Sequence, residues 1–395
     1  MLDPALTTMP DHQTDFPAKL QRLQTLCRKM LSHRRLIIAS NRGPLEYRIE
    51  TDGSLSTYRG SGGMVTALTA AAQFVPVIWV ASAMTDGDRR AAEESGGRLL
   101  KMPGHEIYVR FVSVPQPVYQ RHYYVFCNPL LWFVQHLMWN TPRTPNIGRA
   151  VYEAWEHGYI PVNEAIAQAV IEEAKKDHAA PYVLFQDYHL YLAPAVVREA
   201  LPEAVILHFT HIPWPGPRYW GILPEFMRHR IHEDILASDI VGLQTVGDVR
   251  NFLHACEALL PGVDIDDGNS LVRYRGRTTH VRHFPISVDA SGLLDFARSQ
   301  EVEEYRERLR PFLGEQTIVR VDRSEPSKNI IRGLRAWELF LERYPDFRRR
   351  VNFLQFLVPS RSELGVYQTY TDEIFELVES INDHFGDVGW QPVRV

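Results

Sequence analysis

Short apolar runs alternate with longer segments of helical periodicity along most of this sequence, and this alternation limits the fold more than any other feature. In the first 285 residues the runs predict strands at Leu36–Ser40, Val77–Ala81, Tyr108–Val114, Pro181–Gln186, Ala204–Thr210 and Asp239–Thr245. The helical segments between them carry apolar stripes that must be buried against a sheet. The sequence therefore predicts an α/β fold built on a mostly parallel sheet.

The alternation restarts near residue 286, after a segment at Val272–His283 that breaks it and is typical of a β-hairpin. We place a domain boundary there. It gives two Rossmann-like domains, residues 33–285 and 286–395, behind an N-terminal extension at residues 1–32. A doubly wound domain needs about 100 to 150 residues, so we expect the second domain to be incomplete.

Several single elements are predicted with the domains. We expect the start of the extension to be disordered and Phe16–Leu31 to form an amphipathic helix. Long helices are predicted at Tyr119–Trp139 and at Ala150–Lys176, the second of them broken at Pro161 because proline lacks the N–H that a helix interior needs. The last residues, Trp390–Val395, predict a strand.

Composition excludes some classes of function. The chain has 43 basic and 48 acidic residues and a formal net charge of −5, so it has no overall field for nucleic acid or for an anionic membrane. Any bound anion must be held by a local cluster of cations. Three cysteines lie far apart and predict no disulfide framework. The sequence shows neither a signal peptide nor an apolar run of about 20 residues, and we expect a cytoplasmic protein.

The first strand leads into residues that suit an anionic ligand. Arg42 follows Leu36–Ser40 at the carboxyl end of the strand, which is the usual ligand edge of an open α/β sheet. The loop at residues 59–63 is rich in glycine, contains Gly62 and Gly63, and opens a helix whose N-terminus favours phosphate. An ordinary surface loop with glycines for its turns is the alternative. The spacing is not G-x-G-x-x-G, so no dinucleotide fold is predicted.

Two polar residues follow neighbouring strands later in the first domain. Asp187 can accept hydrogen bonds from sugar hydroxyls, and His211 can donate one. The alternatives are that Asp187 caps the next helix and that His211 is a satisfied core histidine. His229 and His232 lie three residues apart on a helix without a third ligand, so we interpret both as surface residues.

Cations also follow the strands of the second domain. Arg323 and Lys328 bracket the loop after the strand Thr317–Val321, and Arg361 follows the strand Val351–Val358. Positive groups at this edge can neutralise the charge that develops on a departing diphosphate. An ordinary basic loop is the alternative.

A series of short motifs adds to these local patterns. They occur in order as Ser40-Asn41-Arg42, Gly62-Gly63, Tyr123 to Phe126, Asn128 to Trp132, Asp187-Tyr188-His189-Leu190, His211-Ile212-Pro213, Gly242 to Thr245, Phe284-Pro285-Ile286, Arg323 with Lys328, Pro359-Ser360-Arg361 and Gly389 to Pro392. From about residue 35 to the last residue, the sequence resembles the retaining glycosyltransferases of family 20, the trehalose-6-phosphate synthases.

This resemblance implies a GT-B fold, in which two Rossmann-like domains face a cleft, and it implies roles for individual residues. The residues that it implies in donor binding are Gly62, Gly63, His211, Arg323 and Lys328. The residues that it implies in acceptor binding are Arg42, Tyr123, Trp132, Asp187 and Arg361. Arg323, Lys328, Asp187 and His211 form the expected catalytic set.

The implied reaction is a retaining transfer of glucose from a nucleotide sugar, with UDP-glucose as the expected donor, to glucose 6-phosphate. It needs no protein nucleophile, no cofactor and no metal if cations and helix N-termini stabilise the leaving diphosphate. The nucleotide sugar and the sugar phosphate are the expected partners. The sequence leaves the oligomeric state open, and a homo-oligomer is compatible with it.

The sequence departs from the family pattern in ways that bear on activity. The family's final segment, with an Asp-Gly-Met-Asn-Leu-Val run and a later Glu that contact the donor, is not in the chain, so we expect these 395 residues alone to be inactive. Gln186, Ser82 and Pro326 replace a histidine, a tryptophan and an aromatic residue. A different acceptor, as in glucosylglycerol-phosphate synthases or cyclitol-coupling relatives, and a non-catalytic sugar-phosphate-binding module remain alternatives.

Overall fold

A computed structural model describes residues 16–31, 33–60, 62–72, 75–138, 146–361 and 364–395 of the chain. Contacts divide the chain into two compact units between Ile286 and Ser287, and each unit is described by itself. The start of the extension, expected to be disordered, lies outside the described residues. The amphipathic helix predicted at Phe16–Leu31 is confirmed, with the same bounds.

The first unit is built on a ten-stranded sheet in the order β10-β11-β12-β9-β8-β7-β1-β4-β6-β5, beside a two-stranded hairpin, β2-β3. The strands are β1 Leu36–Ser40, β2 Leu45–Ile49, β3 Leu55–Arg59, β4 Val77–Ser82, β5 Leu100–Lys101, β6 Ile107–Val112, β7 Tyr182–Gln186, β8 Val205–Phe209, β9 Ile240–Leu243, β10 Asp264–Asp266, β11 Leu271–Tyr274 and β12 Arg277–His283. The seven strands from β12 to β6 pair in parallel, whereas β5 pairs with β6, β11 with β12 and β10 with β11 in antiparallel fashion. The predicted mostly parallel sheet and the predicted hairpin at Val272–His283 are therefore confirmed.

Helices connect and cover these strands. Those of the first unit are α1 Phe16–Leu31, α2 Gly63–Ala71, α3 Asp86–Ser95, α4 Gln116–Gln120, α5 Trp132–Gln135, α6 Arg149–Ala154, α7 Ile160–Ala174, α8 Ala193–Ala200, α9 Pro217–Trp220, α10 Glu225–Ile235 and α11 Val246–Leu259, with a 3₁₀ turn at Tyr188–Leu190. One buried cluster joins Ile37, Val80, Val183 and Ile206 of the central strands to the apolar face of α7. This packing fixes the sheet whose edge carries the candidate site.

Two π-helical segments, Arg121–Leu131 and Trp155–Tyr159, lie inside the predicted long helices. The break predicted at Pro161 is wrong. The hydrogen-bonding pattern changes from i→i+5 to i→i+4 just before Pro161, and a missing N–H costs least at such a junction. The chain therefore remains helical from Arg149 to Ala174. The predicted end of the other helix, Trp139, lies outside the described residues.

The β2-β3 hairpin falls between Arg42 and the glycine-rich loop, where the sequence analysis predicts no strand. Buried Asp88, at the start of α3, accepts hydrogen bonds from the backbone N–H groups of Tyr47, Met84 and Thr85, at 2.8, 3.1 and 3.0 Å. The Thr85 hydroxyl donates in turn to the Tyr47 carbonyl. A Cβ on Gly87 would collide with the same carbonyl, so this glycine permits the close approach of hairpin and helix.

His232 is buried, which corrects its interpretation as a surface residue. Its ring packs against Trp214 and Trp220 with centroids 5.3 and 4.9 Å apart, and its Nδ1 lies 2.7 Å from the Arg228 carbonyl oxygen. The polar histidine side chain can be buried in the core because its Nδ1 has the backbone carbonyl as a hydrogen-bond partner. His229, on the same helix, remains partly exposed beside Glu225.

The second unit contains three parallel strands in the order β13-β14-β15, namely β13 Gln316–Arg323, β14 Val351–Val358 and β15 Val393–Arg394. Its helices are α12 Ala290–Ala297, α13 Gln300–Leu309, α14 Ile330–Arg343 and α15 Gly365–Phe385, with 3₁₀ turns at Arg310–Phe312, Pro326–Lys328 and Pro345–Phe347. The core joins apolar residues of α14 and α15, such as Leu334 and Ile381, to Phe353 of β14.

The last strand is shorter than predicted. A tight turn in which Asp387 and Trp390 exchange backbone hydrogen bonds of 3.0 and 3.2 Å precedes it, and the proline at 392 has no N–H to donate. Of the predicted strand Trp390–Val395, only Val393–Arg394 pairs with β14. The Trp390 indole instead donates to Asn352 of β14 at 2.7 Å.

We predict that Asp88→Ala lowers the free energy of unfolding by about 1 to 3 kcal/mol, because it leaves backbone N–H groups without their buried acceptor. Asp86→Ala is the matched control, since Asp86 lies on the same helix and its side chain is exposed. Urea unfolding of both variants measures the difference. Equal stabilities for the two would show that Asp88 does not anchor the hairpin.

Candidate functional site

The carboxyl ends of the parallel strands β1, β4, β7, β8 and β9 share one edge of the first unit's sheet. Arg42 follows β1, Asp187 follows β7 and His211 follows β8. Parallel pairing places loops that are distant in sequence at this common edge, where open α/β sheets bind ligands.

A buried hydrogen-bonded chain fixes the turn after β1. The Trp79 indole N–H donates to Ser40 Oγ at 2.7 Å, and this hydroxyl donates to the Arg42 carbonyl, also at 2.7 Å. The Tyr119 hydroxyl donates to Asn41 Oδ1 at 3.2 Å. The backbone that carries Arg42 is therefore held by core residues, and its guanidinium lies 3.5 Å from Glu46 on β2.

Glycines shape the loop between the hairpin and α2. The Gly60 N–H donates to the Pro44 carbonyl at 2.8 Å, and a Cβ on Gly60 would collide with the Gly43 carbonyl oxygen. Gly62 has φ +118°, a backbone angle that residues with a side chain rarely adopt, and Gly63 is the first residue of α2. Ser61, between Gly60 and Gly62, lies outside the described residues. The loop thus needs glycine for its backbone, and it brings both predicted donor-binding glycines to a helix start.

Asp187 has φ +71° and ψ 172°, a backbone region that is almost exclusive to glycine. Its N–H donates to the Phe209 carbonyl of β8 at 2.7 Å, and its carboxylate accepts from the His211 N–H at 3.1 Å. It forms no side-chain cap on the turn at Tyr188–Leu190, so the alternative that Asp187 caps the next helix is wrong. Strain of this kind persists where the surroundings enforce it, and it is common at functional sites.

His211 is half-buried and interacts with Gln186, the last residue of β7, and with Asp187, which follows it. Its Nε2 lies 2.9 Å from Gln186 Oε1, and burial lowers its pKa below the ordinary value although the Asp187 carboxylate opposes the shift. The imidazole is therefore neutral at pH 7 and can exchange a hydrogen bond with a neutral hydroxyl. The alternative of a satisfied histidine stays open, because Gln186 occupies one ring nitrogen.

The π segment supplies aromatic residues beside this edge. Tyr123 stacks on Tyr119 and on His189 with ring centroids 5.7 and 5.9 Å apart. His189 belongs to the turn that follows Asp187, so Tyr123 packs against this turn. Trp132 is buried, with its ring 5.7 Å from that of Tyr188. The structure therefore places Trp132 in the wall behind the edge rather than on an open surface.

The three predicted cations of the second unit meet around one carboxylate, that of Glu325. Glu325 Oε1 lies 3.4 Å from Arg323 Nη2 and 4.0 Å from Lys328 Nζ, and Oε2 lies 3.4 Å from Arg361 Nη1. Arg361, grouped with the acceptor residues in the sequence analysis, thus shares a carboxylate with the two residues expected at the donor. Glu325 has no predicted role, although its position between Arg323 and Lys328 in one short loop was an available signal.

Comparison with known proteins assigns this fold and these residues to a family. Residues 34–395 match the sequence profile of glycosyltransferase family 20. This chain belongs to that family. It is similar to the alpha,alpha-trehalose-phosphate synthase [UDP-forming] of Schizosaccharomyces pombe, with 30% identity over 91% of this chain and 68% of that protein.

Two solved structures share the fold of this family 20 chain. A trehalose-6-phosphate synthase structure from E. coli, bound with UDP-2-fluoro glucose, has a TM-score of 0.73 and 21% identity, over 91% of this chain and 72% of that one. A synthase from Burkholderia xenovorans in complex with glucose-6-phosphate has a TM-score of 0.71 and 23% identity, over 91% and 73%. This likeness confirms the GT-B fold class predicted from the sequence.

Two observations concern the helices and the metal-ligating side chains of the described residues of this family 20 chain. No helix among them is long and apolar enough to cross a membrane. The same residues contain no group of three or more histidine, cysteine, aspartate or glutamate side chains placed to hold a metal ion.

Buried histidines predict how stability depends on pH. Desolvation lowers the pKa of His122 and His208 to about 3 and that of His232 to about 4. An unfolded histidine has a pKa of about 6.5, so below that pH the unfolded chain binds more protons than the folded one. We predict that the free energy of unfolding falls, between pH 6.5 and pH 4, by up to about 1.4 kcal/mol per pH unit for each of these residues.

The test compares His232→Phe with His178→Asn, a change at an exposed histidine. Denaturant unfolding at several pH values should give a shallower pH slope for His232→Phe, because one proton-binding group is gone, and the wild-type slope for the control. Identical slopes for both variants would contradict the linkage.

Proposed function

We propose that this chain is a retaining glucosyltransferase that transfers glucose from UDP-glucose to glucose 6-phosphate and forms trehalose 6-phosphate. The observation that carries the proposal is the gathering of Arg323, Lys328 and Arg361 around Glu325, in a chain of glycosyltransferase family 20. The names of its relatives support the substrates, since they are called UDP-forming synthases and one solved structure contains glucose-6-phosphate.

Donor binding is assigned to groups that suit a diphosphate and a sugar. Arg323 and Lys328 offset the charge of the diphosphate, and the backbone at Gly62 and Gly63 allows close approach of an anion to the start of α2. His211, neutral at pH 7 because burial lowers its pKa, exchanges a hydrogen bond with a glucose hydroxyl.

Acceptor binding is assigned to a second set of residues. Arg42 and Arg361 are the positive partners of the acceptor phosphate, because guanidinium groups bind phosphate oxygens in a forked geometry. Tyr123 supplies aromatic surface with buried Trp132 behind it, and the Asp187 carboxylate accepts hydrogen bonds from sugar hydroxyls.

The transfer follows from charge and position. The bond between the anomeric carbon and the diphosphate oxygen breaks, and the acceptor hydroxyl forms its new bond to the same face of that carbon. The hydroxyl proton passes to the leaving phosphate oxygen, so atoms and charge balance. Arg323 and Lys328 stabilise the negative charge on the departing diphosphate, which is the main electrostatic contribution of the protein. Independence from metal ions stays a prediction, and addition of a chelator to the assay tests it.

A panel of donors and acceptors tests the function. We expect the full-length protein to release UDP from UDP-glucose when glucose 6-phosphate is present, and the product to keep the donor's anomeric configuration by NMR. Glucose 6-phosphate carries the phosphate that Arg42 and Arg361 would bind, whereas free glucose lacks it. Glucose should therefore be a poor acceptor, and glycerol 3-phosphate tests the alternative acceptor class.

The outcomes of the panel separate the alternatives. Release of UDP with glycerol 3-phosphate but not with glucose 6-phosphate would replace the acceptor. Binding of glucose 6-phosphate without turnover of any donor would favour a non-catalytic module. The expectation that residues 1–395 alone are inactive stays a prediction, and turnover by these residues in the same assay would contradict it. Cytoplasmic location also stays a prediction.

We predict that Lys328→Ala lowers kcat of the full-length protein by about 100-fold or more, because the developing charge on the diphosphate loses a cation. Arg335→Ala is the matched control, since Arg335 is an exposed cation of the same unit that pairs with Glu338. Steady-state kinetics with UDP release as the readout measure both. Wild-type turnover in Lys328→Ala would remove Lys328 from the mechanism.

A further inference from the structure

Glu325 is buried at the centre of the cation cluster. Its Oε1 accepts a hydrogen bond from the Ser327 hydroxyl at 2.7 Å and contacts Arg323 and Lys328, whereas its Oε2 accepts from Ser360 and Arg361, both at 3.4 Å. The Glu325 side chain is 1% exposed. A carboxylate in this position is stable only because cations and hydroxyls surround it.

We propose that Glu325 is a positioning residue that holds Arg323 and Lys328 in a preformed receptor for the diphosphate of the donor, while its other carboxylate oxygen holds Arg361, the residue assigned to the acceptor phosphate. The proposal rests on the proposed function and adds to it a residue with no assigned role. Three mutually repelling cations would separate without the carboxylate between them. With it, the cluster keeps a net positive charge that suits a polyanion.

The exposures of the side chains show which side of the cluster remains available. Arg323 and Lys328 are 49% and 39% exposed, although the carboxylate that they contact is buried. Their contacts with Glu325, at 3.4 and 4.0 Å, are longer than the 2.7 to 2.9 Å typical of charge-assisted hydrogen bonds. The carboxylate therefore attracts the buried side of each of the two cations and leaves N–H donors on each of them available. The exposed sides of the cations can bind phosphate oxygens.

The backbone holds Glu325 in the same place. The Glu325 N–H donates to the Arg323 carbonyl at 2.8 Å, and the Lys328 N–H donates to the Glu325 carbonyl at 3.0 Å. Pro326 opens the 3₁₀ turn Pro326–Lys328, where its fixed φ suits the turn and its missing N–H costs least. The replacement of the family's aromatic residue by Pro326 thus gives a rigid path from Glu325 to Lys328.

Arg361 has a second support. It also donates to the Tyr367 hydroxyl at 2.7 Å, and its guanidinium lies 5.4 Å from the centre of the Tyr367 ring. Loss of the carboxylate should therefore disturb Arg323 more than Arg361. This difference separates a positioning role from a general loss of structure.

The test is Glu325→Gln, which keeps the shape of the side chain. Both carboxylate oxygens of Glu325 accept hydrogen bonds, whereas an amide has one acceptor oxygen and one N–H₂ donor group. In Glu325→Gln the N–H₂ group would therefore face a hydrogen-bond donor on one side of the cluster. We expect the Kd for UDP and for inorganic pyrophosphate, measured by calorimetry, to rise about tenfold, since one well-placed charged interaction is worth at least 1.4 kcal/mol. The Kd of Glu325→Asp for both anions should lie between those of Glu325→Gln and the wild type, because aspartate keeps the negative charge.

Charge alone predicts the opposite sign. Glu325→Gln makes the cluster more positive, so a purely electrostatic role would tighten the binding of both anions, and that result would overturn the proposal. A lower unfolding midpoint with unchanged Kd for the folded protein would overturn it as well, because Glu325 would then serve stability alone. Glu338→Gln, which removes a partly exposed carboxylate of the same unit outside the cluster, is the matched control and should bind as the wild type does.

A second readout needs no ligand. NMR of ¹⁵N-labelled arginine side chains should show faster guanidinium rotation for Arg323 in Glu325→Gln and a smaller change for Arg361. Unchanged rotation at Arg323 would contradict the positioning role. If the wild-type protein bound neither UDP nor pyrophosphate, the proposed diphosphate site itself would fail. Equal binding by wild type and Glu325→Gln would remove only the role of Glu325.

Discussion

Parallel pairing of β1, β7 and β8 is the constraint on which the first unit's candidate site depends. In register, Ala39 lies opposite Phe185, and Phe185 lies opposite His208, so the three strands end at one level. The turns that follow must then share an edge, whatever their distance in sequence. Backbone bonding extends this order past the strands, because the Asp187 N–H still donates to the carbonyl of Phe209.

A comparable constraint acts in the second unit, where β13 and β14 pair in parallel from Gln316 to Arg323. Arg323 ends one strand, and Arg361 follows the other, so their side chains approach the same loop. A buried carboxylate between them converts this proximity into an ordered cluster. In both units, regular strand pairing brings the polar groups together and a few buried hydrogen bonds determine their orientation.

Features that depend on periodicity could be predicted from the sequence. The parallel sheet, the hairpin at Val272–His283 and the helix Phe16–Leu31 follow from apolar spacing, which the fold must obey to bury its core. The π segments could not, because i→i+5 hydrogen bonding is rare and the order of apolar residues over so few turns does not distinguish it from α-helical bonding. The burial of Asp88 and Glu325 could not be predicted either, since it depends in part on distant partners such as Tyr47 and Arg361, which the folded chain alone brings into contact.

The positive φ of Asp187 has a consequence for the evolution of the protein. A residue in this region costs of order 1 to 3 kcal/mol, and glycine would adopt the same backbone without that cost. Selection for a more stable fold alone would therefore replace the aspartate by glycine. The chain instead has a carboxylate at a position where its backbone conformation lowers stability. This is expected where the function of the side chain outweighs the lost stability.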